Sequence, residues 1–275
     1  MERRCKFRFE GGTLIPRAYI VEWRSSAPWV SDAQVGQDLL ICRALVSLYS
    51  NELIGENLAF RGGTALHKIF LNPPSRYSED IDLVQTKAGA IGPILDAVRD
   101  TLDGMLGLPR RERGEDTVTL TYRTESEIPP VVPMKLKIEI NTREHFSVLG
   151  YKEHPLSISS RWFSGYCTLK TFELEELLGT KLRALYQRRK GRDLFDLWLG
   201  LTEGRANPEE IVRVFRNCMQ EEGLKVSQRE YIENLNGKMA TRQILSDTDS
   251  LLRPGVIYRP QEAHRLVEQR LLCHI

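Results

Sequence analysis

Residues 60–84 read FRGGTALHKIFLNPPSRYSEDIDLV, and their punctuation sets the frame for the whole chain. Leu58 to Arg61 reads as a short strand running into this stretch. Gly62 and Gly63 carry no Cβ, so the chain can bend sharply there and bring its amides close to a phosphate; Thr64 stands where a helix over 65–70 begins and presents its first N–H groups. The Pro73-Pro74 pair then closes that helix. In Asp80 to Val84 the alternation is that of a strand: Asp80 and Asp82 share one face, about 7 Å apart, while Ile81 and Leu83 point into a core. Two carboxylates so placed repel unless a cation lies between them, and a divalent ion that prefers oxygen ligands, such as Mg²⁺, is the natural partner. Each half has an ordinary alternative, a simple turn for Gly-Gly and a solvated strand end for D-x-D. Together they point to phosphate and metal held side by side.

A site with two metal ions needs carboxylates from more than one direction. Lys135 to Asn141, KLKIEIN, offers another: Leu136, Ile138 and Ile140 make one face and Lys135, Lys137, Glu139 and Asn141 the other. Glu139 is therefore the candidate third ligand, with the solvent face of an edge strand as the alternative. A further strand at 118–123 and helices at about 33–55, behind an N-cap at Ser31, and 91–106 complete a mixed region. After residue 170 the pattern turns helical. Leu174, Leu177, Leu178, Leu182 and Leu185 repeat at a 3.6-residue period, a second apolar run occupies 194–201, and Asn207-Pro208 and Ser227 to Glu230 have the form of helix starts. Helices are expected at 209–220, 228–239 and 261–272. The expected class is α+β: a mixed sheet flanked by helices in residues 1–165, then a helical bundle in 166–275, with the seam between 150 and 173.

The chain has 275 residues, 41% hydrophobic and 28% charged, which excludes collagen-like, low-complexity and largely disordered classes. No apolar run approaches the ~18 residues of a membrane span. The opening MERRCKFRFE is basic without an apolar segment behind it, so a secretory signal is not expected and the cytoplasm is the expected compartment, with no membrane partner. Five cysteines, odd in number and without C-x-x-C spacing, suggest neither a disulfide framework nor a zinc knuckle. The net charge of +2 hides an uneven distribution. From Leu177 to Arg192 there are six cations, Lys181, Arg183, Arg188, Arg189, Lys190 and Arg192, and no acid; the N-terminus adds Arg3, Arg4, Lys6 and Arg8. Such clusters either meet the phosphates of a nucleic acid or are solvated helix faces.

Three motifs now stand in order: GGTALHK from Gly62, R-x-S-E-D-I-D-L from Arg76, and L-x-E-L-L-G-T-K-L-x-A-L from Leu174 with R-D-L-F-D-L from Arg192. In these the chain resembles the AbiEii/AbiGii toxin family, which includes the MenT toxins, within the DNA polymerase β nucleotidyltransferase superfamily. The resemblance covers roughly residues 40 to 203. It implies a nucleotidyltransferase-like sheet and the toxin of a toxin–antitoxin pair. It also implies transfer of nucleotides from an NTP to RNA, the tRNA 3′ end in the MenT members, with Mg²⁺ as cofactor and a cognate antitoxin as partner. It matches Gly63 and Thr64, after Gly62, to the phosphate-holding motif, Asp80 and Asp82 to the metal-binding D-x-D, Lys181 to the family's helical lysine, and Asp193 to its later essential aspartate. Thr64 replaces the commoner serine, and the third acid is glutamate.

On the residues themselves, the four-carbon stem of Lys181 can run along apolar surface while its ammonium reaches a triphosphate. One helical face is expected to collect Lys181, Arg188 and Arg192 and to neutralise phosphate charge, and Arg188, Arg189, Lys190 and Arg192 are the expected RNA-binding cations. Asp196 is read as a pairing group, Arg76 as a loop arginine that meets the D-x-D acids or the nucleotide, and His67 as a residue of the short helix. The rival readings are transfer of a nucleotide to a protein hydroxyl and a nucleotide-binding module without catalysis.

Overall fold

The computed structural model describes residues 8–9, 15–125 and 133–275, and these divide into two compact units. Arg3, Arg4, Lys6, Cys5 and the side chain of Arg8 lie outside the described residues. The first unit takes the chain up to residue 65, then 77–146 and 151–171; the second takes 66–76, 147–150 and 172–275.

The first unit runs β1 (Arg8–Phe9), α1 (Arg17–Trp23), α2 (Asp32–Tyr49), α3 (Glu52–Asn57), β2 (Leu58–Arg61), α4 (Gly62–Ala65), β3 (Asp80–Gln85), α5 (Gly92–Leu106), β4 (Arg110–Arg113), β5 (Thr117–Glu125), β6 (Pro133–Asn141), β7 (Tyr151–Ser159) and β8 (Phe163–Phe172). The sheet order is β1-β8-β2-β3-β6-β5-β4, with β7 paired to β8. It is mixed, since β3 lies parallel to β6 and antiparallel to β2, while β4, β5 and β6 form an antiparallel meander. Register sorts the side chains into two faces. Ile81 pairs with Ile138 and Ile138 with Leu120, Leu83 with Ile140 and Ile140 with Val118, and all are buried. Helices α2 and α5 pack on β6 and β5. The opposite face carries Asp80, Asp82, Lys135, Lys137, Glu139, Thr121, Arg123, Arg110 and Glu112.

Ser31 starts α2 with the expected cap, closed reciprocally by Gln34. The helix expected over 33–55 breaks after Tyr49, because the Asn51 side chain accepts from the Ile54 amide and starts α3. Strands β4, β7 and β8 and helix α1 are not among the sequence expectations; Arg110–Arg113 has no apolar alternation to betray it.

The second unit holds a π-helical turn (Leu66–Phe70), α6 (Leu174–Gln187), α7 (Gly191–Thr202), α8 (Pro208–Glu221), α9 (Gln228–Met239), α10 (Arg242–Ser246) and α11 (Pro260–Arg270). Leu177, Leu178, Leu182 and Leu185 of the α6 stripe are buried and Leu174 is half-buried, and α6 packs on α7, α8 and α9. Asn207 and Ser227 cap α8 and α9 as their sequences predict. Sequence continuity does not foretell that Leu66–Arg76 and Ser147–Gly150 leave the first unit for the second.

Candidate active site

In the first unit, Gly62 has φ +79°, a conformation that other residues adopt only under strain, and a Cβ built there would stand 2.0 Å from Oδ2 of Asp82. The glycine thus lets the main chain lie directly against a carboxylate. Thr64, 1% exposed, donates its hydroxyl to the main-chain carbonyl of Asp80 at 2.5 Å and lies 2.9 Å from the Ser78 hydroxyl. The Gly-Gly-Thr step is therefore tied to the first residue of β3. Asp80 and Asp82 lie on the polar face, and the parallel register sets Asp82 opposite Glu139 and Asp80 opposite Lys137.

Burial and then the charge of Asp82 push the Asp80 carboxyl up to about 6. Asp80, whose ionisation the Asp82 charge disfavours, and Asp82, against which the Gly62 main chain lies, fit a divalent cation. Glu139 is held by the Lys137 ammonium at 2.7 Å. Burial works to lower Lys137, but the bond from Glu139 and the charges of Glu139, Asp80 and Asp82 outweigh it and raise the ammonium above its ordinary value. Among the described residues no group of three or more His, Cys, Asp or Glu side chains stands close enough to hold a metal ion. Asp80 and Asp82 are the pair the structure arranges; Glu139 adjoins them with a cation of its own.

The second unit holds a different arrangement. Asp196, fully buried, accepts two bonds from Arg76, Nε at 2.7 Å and Nη2 at 2.6 Å, and lies 3.1 Å from Nε2 of His67 and 3.0 Å from the Lys181 ammonium. Asp193, equally buried, takes Lys181 at 3.2 Å and Arg188 through Nε at 2.7 Å and Nη2 at 2.9 Å. Burial alone would raise both carboxyls. The charge of Lys181 and the bonded Arg188 reverse this for Asp193, and Arg76, Lys181 and His67 reverse it more strongly for Asp196, so both stay ionised below the usual carboxylate range. His67 is pushed down to about 4, first by burial and then by the neighbouring Arg76 and Lys181 cations, against the pull of Asp196. It is a neutral imidazole that donates from Nε2, and its buried Nδ1 has no hydrogen-bond partner among the described residues.

These positions revise parts of the sequence reading. Lys181 is 7% exposed, its ammonium shared by two aspartates. The single cationic helix face does not form: α6 ends at Gln187, Arg188 turns extended, and α7 starts only at Gly191, so Lys181, Arg188 and Arg192 do not share one helix. Arg188 is bonded to Asp193 and Arg192 to Asp247, whereas Arg189 and Lys190 are exposed. Arg76, read as a loop arginine, is 2% exposed and gives its guanidinium to Asp196. His67 belongs with Arg76 and Asp196 in the second unit. The signal for this cluster was faint, because the partners stand 120 or more residues apart. Trp23, Trp29 and Trp162 are buried, as aromatic core residues should be. No helix among the described residues is long and apolar enough to cross a membrane.

Comparison with known proteins bears on the family and the fold. Residues 43–264 match the family model described as "Nucleotidyl transferase AbiEii toxin, Type IV TA system". Among solved structures, the chain is similar to MenT4, a nucleotidyltransferase toxin from Mycobacterium tuberculosis, with a TM-score of 0.63 and 18% identity over 95% of this chain and 90% of that one. It is also similar to a putative nucleotidyltransferase from H. pylori, with a TM-score of 0.53 and 17% identity over 88% of this chain and 97% of that one. JHP933 from Helicobacter pylori follows, with a TM-score of 0.50 and 17% identity over 88% and 94%. No curated protein sequence matches the chain. At such identities the structures speak for the fold, a mixed sheet flanked by helices; the family model, which spans most of the chain, speaks for more. This protein belongs to the AbiEii family of nucleotidyltransferase toxins.

Proposed function

We propose that this protein transfers nucleotides from an NTP to an RNA acceptor, the tRNA 3′ end being the first to test, and that a cognate antitoxin restrains it in the cytoplasm. The observation that carries the reading is the close approach of Gly62 to Asp82, with Thr64 tied to Asp80, which sets a bare main-chain bend against two carboxylates that repel each other. The bend at Gly62, Gly63 and Thr64 would take the triphosphate through its main chain. Asp80 and Asp82, with Glu139 beside them, would hold two Mg²⁺ ions. Bound Mg²⁺ supplies neutralisation of phosphate charge and activation of the acceptor hydroxyl.

The chain's own contribution is positioning in an environment that needs little reorganisation. Asp80 would have to be ionised to hold a cation, so metal affinity should strengthen as pH rises through about 6. Lys181 and Asp193 enter this reading through the motif match, as the lysine that neutralises the triphosphate and the aspartate that organises it. Arg189 and Lys190 are the exposed remnant of the expected RNA-binding run. The test is to incubate the protein with Mg²⁺, total RNA and each NTP in turn and to sequence the RNA 3′ ends. Lengthened ends that need NTP support the proposal. Shortened RNA without NTP, or label found on protein alone, contradicts it.

A further inference from the structure

A groove of about 750 Å³ opens on the polar face of the first unit's sheet and includes Asp80 in its lining. Four cations line it, Arg110, Arg123, Lys135 and Lys137, against the acids Glu79, Asp80 and Glu112. The register orders them. Asp80 pairs with Lys137, Lys137 with Thr121 and Thr121 with Arg110, so one row crosses four strands; at about 4.8 Å per strand it is roughly 14 Å long. The cations form a track that leads away from the candidate metal ligands.

Two features of this track are costly unless a ligand completes them. Arg123 and Lys135 stand directly opposite each other on antiparallel strands, both exposed, and neither makes an ion pair with a described residue. Like charges in that position destabilise a sheet pair, and an anion between them reverses the sign. The second feature is Gln37, which lines the groove at 3% exposure. Its amide nitrogen donates to the Lys135 carbonyl at 2.9 Å, which fixes the orientation of the group, and its Oε1 is a buried acceptor with no partner among the described residues. Anions satisfy the first feature and a hydrogen-bond donor the second. A strand of RNA offers both, phosphates for the cations and a 2′-hydroxyl or base amino group for the amide oxygen. Among the strand residues that line the groove, Pro133 and Met134 are apolar and the rest are charged or polar, which suits a phosphate backbone better than the apolar centre of a protein interface.

We propose that this groove seats the 3′-terminal single strand of the RNA acceptor, with backbone phosphates on Arg123 and Lys135 and a donor of the strand on Gln37. The inference rests on the RNA-transfer reading above and assigns the acceptor to the β4-β5-β6 face instead of the Arg188–Arg192 segment that sequence alone favoured. The experiment compares the full chain with its Arg123→Glu/Lys135→Glu variant. Binding of a short fluorescent single-stranded RNA is followed by anisotropy across salt concentrations, and nucleotide transfer is measured with RNA and NTP varied separately.

The variant should bind RNA at least about tenfold more weakly, and its logarithmic salt slope should be shallower by about 0.7 for each phosphate no longer neutralised. The KM for RNA should rise and that for NTP stay unchanged. Arg123→Ala alone should not lower the melting temperature, since it relieves the like-charge pair. A double variant that binds and extends RNA as the wild type does overturns the groove assignment and leaves the RNA reading standing. A wild type that labels only protein overturns both.

Discussion

The two units treat charge in opposite ways. In the second unit two aspartates are fully buried, and each is met by cations at hydrogen-bond distance: Arg76 and Lys181 on Asp196, Lys181 and Arg188 on Asp193. In the first unit the charge of Asp82 raises the Asp80 carboxyl on a partly exposed sheet face, and Arg123 stands opposite Lys135, neither ion-paired with a described residue. A charge paired inside a protein serves the fold; like charges set side by side on a sheet face favour a ligand of opposite sign. In the proposed reading the first face takes the cations, while in the second cluster Asp196 is already satisfied within its own unit and Lys181 and Asp193 keep the roles the motif match gives them.

The largest effect should come from breaking the satisfied cluster. Asp196→Ala leaves Arg76 and Lys181 buried without their shared counter-ion and should cost about 3–5 kcal/mol in chemical denaturation. A loss under about 1 kcal/mol would show that the cluster is not the keystone of its unit. Next comes the close approach in the first unit. Gly62→Ala sets a methyl group 2.0 Å from Asp82 Oδ2 in an unfavourable backbone conformation, which should displace the carboxylate and reduce nucleotide transfer by about 10²-fold, with a smaller change in melting. Unchanged activity would mean that the bend and the carboxylate do not act together.

The smallest effect is acid sensitivity. In the unfolded chain His67 takes up a proton near 6.5, but in the fold only near about 4, so between these values the unfolded state binds more protons and stability falls as pH falls. The slope from this one group is at most about 1.4 kcal/mol per pH unit. Asp193 and Asp196, held low, add their own loss only at more acid pH, below the ordinary carboxylate value. Denaturation of His67→Gln between pH 4 and 6.5 should show a flatter slope than wild type, and an unaltered slope would remove the imidazole from the account.

What could be read from the sequence was local. The alternation in Asp80–Leu83 and 135–141 and the Gly-Gly bend depend on neighbours one to four residues away, and all stand where their spacing placed them. The leucine period of α6 and the caps of α8 and α9 were legible for the same reason. Pairing across the sheet was not. Nothing near Lys135 announces Arg123 opposite it, nor does anything near Asp196 announce Arg76, because register and packing join residues that the chain separates. The basic run from Lys181 to Arg192 misled through the same gap. Its count of cations was right, yet their direction was set by a break after Gln187 and by Asp193 and Asp247.

The central claim is that Asp80 and Asp82 hold the cations of the proposed transfer while the buried Asp196 holds its unit together. It is tested most directly by measuring transfer of label from NTP to RNA by Asp82→Asn, with chemical denaturation of the same sample. The account predicts that transfer is lost while the variant stays folded, since asparagine keeps the volume of the side chain and removes only its charge. Full transfer by the folded variant would contradict it.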